Sequence, residues 1–134
     1  MPIINIPADT NASLAGKASL SQAMALKEGA PITDVSGTIQ PYTDFVSKYI
    51  LPVTTLSVNR TTTIGVSGTP PYGFRVVLER QDATAYTWAI VNGGTNGGTI
   101  YTFPASPTSP SAIVLFYTGA DWISDGLVVL GAGA

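Results

Sequence analysis

From residue 52 onward, short runs rich in Val, Ile, Thr and aromatic residues are each cut by a cluster of Gly, Pro, Asn or Asp, and this punctuation limits the fold more than any other feature. The runs fall at 53–58, 60–67, 74–80, 84–91, 99–103, 112–117 and 127–130, with a shorter one at 122–123. β-Branched and aromatic side chains suit a pleated, half-buried surface, and the clusters between them supply turn conformations. No helical periodicity interrupts the series. The spacing predicts a mainly β body over 52–134, an antiparallel β-sandwich or jelly-roll-like domain.

The region 1–51 has a different texture and is read as an irregular amino-terminal arm carrying one short helix over 20–28. Ser19 and Gln22 have capping-box spacing, Leu20, Ala23, Met24 and Lys27 follow a helical repeat, and Gly29 and Pro31 end it. Over 44–51, the residues Phe45, Val46, Tyr49 and Ile50 fit a short amphipathic helix or a strand. Such an arm either threads over a partner or packs on its own body, because terminal segments are ordered only when tied down. Two apolar groups, Ile3, Ile4 and Ile6, and Phe45, Tyr49 and Ile50, are the candidate partner contacts.

Only 10% of residues are charged, against roughly a quarter in ordinary soluble domains. So little charge leaves a free monomer poorly protected against association, and favours a surface covered in an assembly. A net charge of -2 provides no basic field for nucleic acid, and no apolar run is long enough to span a membrane. Met1-Pro2-Ile3-Ile4 lacks the basic start of a secretory signal, which predicts synthesis and use without export by that route.

The chain has no histidine and no cysteine, which removes imidazole acid–base chemistry, thiolate nucleophiles and the commonest zinc ligands. Gly93-Gly94-Thr95-Asn96-Gly97-Gly98 lacks the lysine of a phosphate loop and is read as a hairpin tip. The acids Glu79 and Asp82, and Asp121 and Asp125, lie in pairs local to one turn and are read as solvated turn acids, whereas a glycosidase needs carboxyls facing each other across a sugar. No catalytic residue, cofactor or metal is predicted. Tyr86 and Trp88 alternate, as do Tyr101 and Phe103. Such pairs form either a core layer or a stacking platform for sugars, and the core reading places Trp88 inside with Tyr86 and Ile90.

The stretch from Val53 to Gly126 resembles small β modules of bacteriophage virion proteins, found on fibres and capsid decorations. The matching residues are Leu56-Ser57-Val58-Asn59-Arg60, Gly73-Phe74-Arg75-Val76-Val77-Leu78, Gln81-Asp82-Ala83-Thr84 with Thr87-Trp88, and Ile113-Val114-Leu115-Phe116-Tyr117-Thr118-Gly119 with Trp122. The resemblance implies a homotrimer with no cofactor, and a role in attachment or capsid reinforcement. A fibre usually needs a heptad shaft, which is missing here. The expectation is therefore a capsid decoration (cement) protein, assembled in the host cytoplasm and bound to the major capsid protein on the virion surface. A fibre or lectin-like module holding host glycans is the alternative.

Overall fold

The computed structural model describes residues 29–32 and 35–129. They are mainly β, with nine strands and a single helical turn. The strands are β1 (Ala30–Pro31), β2 (Thr38–Ile39), β3 (Lys48–Leu51), β4 (Arg60–Ile64), β5 (Arg75–Arg80), β6 (Trp88–Asn92), β7 (Thr99–Phe103), β8 (Ser111–Tyr117) and β9 (Trp122–Val129). The helical turn, α1 (Pro41–Asp44), starts on a proline and is stopped by Phe45 in the left-handed conformation at φ 55°.

Two sheets form, in the orders β1-β3-β5-β8-β9 and β2-β4-β6-β7. Up to β6 the chain alternates between them, odd strands in one and even strands in the other. Each strand that returns to a sheet therefore lies parallel to its predecessor there: β1 with β3, β3 with β5, β2 with β4, and β4 with β6. The last three strands reverse this, β7 folding back on β6, β8 antiparallel to β5, and β9 antiparallel to β8. The sheets are thus mixed. Strand spacing did not reveal this, because segments such as 52–59 and 65–74 cross between sheets where a hairpin would stay within one.

The segment read as an arm supplies β1, β2 and β3 from residue 30 onward, and the ambiguous stretch at 44–51 resolves into the helical stop and strand β3. The helix predicted over 20–28 lies outside the described residues. Residues 53–58 form a loop and no strand, with Thr54 at φ 59° and the Leu56 N–H held by Asp82 Oδ2 at 2.9 Å. The run at 122–123 and residues 127–129 of the run at 127–130 join into the single strand β9, and Leu130 lies outside the described residues.

One apolar cluster joins inward residues of both sheets, among them Leu51, Val76, Leu78, Ile113 and Leu115 from the first, and Ile64, Trp88, Ile90 and Phe103 from the second. Trp88 is fully buried and stacks on Phe103 with centroids 5.0 Å apart. Its indole N–H donates to Thr62 Oγ1 at 2.7 Å, and that hydroxyl donates to the Val35 carbonyl at 2.7 Å. The relay satisfies the polar atoms that a buried tryptophan and threonine bring inside.

Candidate interaction surface

Every carboxylate among the described residues has a partner within the protein. Glu79 and Asp82, expected to be solvated, are buried. Glu79 meets Lys48 Nζ at 2.9 Å and accepts from Gln81 Nε2 at 2.7 Å. Asp82 pairs with Arg80, whose guanidinium also donates to the carbonyls of Asp82, Thr84, Tyr86, Phe103 and Pro104. Burial alone would raise the Asp82 carboxyl, but donors from Thr84, the Leu56 N–H and Arg80 hold it below the usual range. These groups fasten the 81–87 connection to β5 and β7. Tyr49 is raised by burial, and by the charge of Asp44, to which its hydroxyl donates at 3.5 Å.

Asp121 precedes β9 at the other end of the sheet, and Asp125 lies midway along that strand. Asp121 binds the 93–98 turn: its Oδ1 accepts from Asn92 Nδ2 and the Asn96 N–H, each at 2.8 Å, and its Oδ2 accepts from Asn96 Nδ2 at 2.6 Å. The same donors, first the Asn96 backbone N–H, lower its carboxyl below the usual range. Gly94 packs so closely on the Ala120 carbonyl that a Cβ there would collide with it. Between this turn and β9 lies an open cleft of about 360 Å³ lined by Asn92, Asn96, Asp121, Trp122, Ile123 and Ser124. No group of three or more acids that could hold a metal occurs among the described residues.

Asp125 is the extra residue of a bulge, since Leu115 pairs with Ser124 and Val114 with Gly126. It reaches across β8 to Arg75 Nε at 2.9 Å, and that guanidinium lies 5.3 Å from the centre of the Phe116 ring. Tyr72 packs edge-on against the same ring and is 74% exposed. Phe116 pairs with Ile123, so Tyr72, Phe116 and Ile123 make an apolar strip on the outer face of the sheet.

The strip runs into the edge of the sheet. β9 is the terminal strand of its sheet, and among the described residues only β8 pairs with it. Ile123, Leu127 and Val128 are exposed along it. The bulge at Asp125 interrupts this edge, and the apolar residues on either side of it, Ile123 before and Leu127 and Val128 after, leave two short stretches able to pair with another chain. Sequence reasoning missed this surface because it divided β9 in two, and because the packing of Tyr72, a turn residue, on Phe116 depends on the tertiary fold. The apolar run Leu127-Val128-Val129-Leu130 was the available clue.

Of the sequence candidates, Ile3, Ile4 and Ile6 lie outside the described residues. Phe45 is 42% exposed at the end of α1, whereas Tyr49 is 6% exposed and faces the core. Ile50 is half-buried on the opposite face of β3. The three do not share one exposed face. No protein-family model, curated protein or solved structure matches this chain.

Proposed function

We propose that this chain is a structural binding protein without catalytic activity, a decoration protein that attaches as a homotrimer to the outer surface of a phage head and stabilises it. The observation that carries the interaction role is the apolar β9 edge, which no other strand but β8 pairs among the described residues and which adjoins Tyr72, Phe116 and Ile123, on a chain with little charge to keep such a surface apart from others. The engagement of each described carboxylate in internal contacts favours a structural role over a hydrolytic one. The capsid as partner follows from the resemblance of Val53–Gly126 to virion modules. A ligand that binds only the assembled shell stabilises it by mass action. The test is cosedimentation of the purified protein with heads of the phage carrying this sequence, prepared without it. Saturable binding at a fixed ratio to the major capsid protein is expected, and absence of binding refutes the reading.

The fibre or lectin-like alternative needs an exposed aromatic platform. Both tryptophans are buried, so that reading would rest on Tyr72 and the cleft beside Asn96.

A further inference from the structure

The hairpin tip holds two Asn-Gly pairs, Asn92-Gly93 and Asn96-Gly97, in opposite states. Asn92 is buried, and its carboxamide is fully engaged. Nδ2 donates to Gly97 O and Asp121 Oδ1, while Oδ1 accepts from the Gly94 and Trp122 N–H groups. The following amide is occupied too, with Gly93 N–H bonded to the Ile64 carbonyl at 2.8 Å. Asn96 is exposed, and only the nitrogen side of its carboxamide is held, by Asp121 Oδ2. The Gly97 N–H has no acceptor among the described residues, and no atom crowds the space beside its Cα.

We propose that Asn96-Gly97 is a self-modifying site, whose deamidation acts as a slow charge switch that opens the cleft beside β9. In the first step the Gly97 backbone nitrogen attacks Asn96 Cγ. A C–N bond forms, the Cγ–Nδ2 bond breaks, and ammonia leaves with the proton shed by the Gly97 nitrogen. Water then opens the cyclic imide at either carbonyl and leaves aspartate or isoaspartate at position 96. No oxidation or reduction occurs, and water is the sole co-reactant. The product replaces a donor to Asp121 with a second carboxylate at the same place, so attraction becomes repulsion. Two contacts that close the tip, Asn96 N–H to Asp121 and Thr95 N–H to the Ala120 carbonyl, are then strained or lost.

The full chain, kept folded in a warm, mildly alkaline buffer, should convert at position 96, with fragment mass spectra locating the amide-to-acid exchange. Conversion at Asn92 should be slower by about tenfold or more, because that site must first open locally. In urea the two sites should convert at similar rates, and Asn96→Gln should abolish the folded-state reaction. The product mimic Asn96→Asp should speed hydrogen exchange at the Thr95 and residue-96 amides. Equal rates at both sites in the folded chain, or conversion only in urea, would overturn the assignment. Unchanged exchange in Asn96→Asp would overturn the switch.

Discussion

Arg80 sits wholly inside the protein, where an unpaired guanidinium would be prohibitively expensive. It is tolerated because Asp82 and five backbone carbonyls meet its donors. Removing one partner leaves the other charged and buried. Arg80→Met is therefore expected to lower unfolding free energy by about 3–5 kcal/mol in urea titration. Asp82→Asn should also destabilise at neutral pH. The native Asp82 carboxyl lies below its unfolded value, so its contribution is present above about pH 3.9 and is lost as pH falls through the folded pKa. Asp82→Asn should accordingly lose less stability than the parent between neutral pH and that acid range. Trp88→Ala should cost about 3–5 kcal/mol, because it empties a fully enclosed aromatic site. An unchanged melting temperature would place that indole outside the core. The burial of Trp88 could be read from its alternation with Ile90, but the fate of Glu79 and Asp82 could not. Acids beside a turn look solvated until the fold brings the Arg80 guanidinium, the Leu56 N–H and the N–H and hydroxyl of Thr84 around Asp82.

The strands show where legibility ends. The β texture, several strand positions and the Gly-rich hairpin tip could be read from composition and turn residues. Pairing direction could not, since β4 lies between β3 and β5 in sequence but belongs to the other sheet. The boundary at Pro52 separates two textures in the sequence, yet strands on both sides of it share the same sheets. Removal of 1–28 keeps every described strand, whereas a cut after residue 40 would take away β1 and β2. The shorter truncation should remain β-rich by circular dichroism and lose most of its affinity for undecorated heads. Equal binding would remove residues 1–28 from the contact and leave the β9 edge as the anchor. The β9 edge yields a complementary prediction. Leu127→Lys with Val128→Lys places charge on an exposed edge and should leave stability within about 0.5 kcal/mol, as for most surface changes. Binding to heads should nevertheless be abolished in the same cosedimentation assay.

At the scale of the whole molecule, eight acidic and six basic residues are spread over 134 positions, and the apolar strip joins an edge left unpaired among the described residues. A surface of this kind is more stable covered than bare. In light scattering coupled to size exclusion, the protein is expected at three times its 13.8 kDa chain mass. A clean monomer would remove the homotrimer from the account. The central claim is that the chain is a stoichiometric part of the phage head. Quantitative mass spectrometry of purified native particles, with heads separated from tails, measures this directly. The account predicts the chain in the head fraction at a fixed, high ratio to the major capsid protein. A few copies confined to the tail fraction, or none in either, would contradict it.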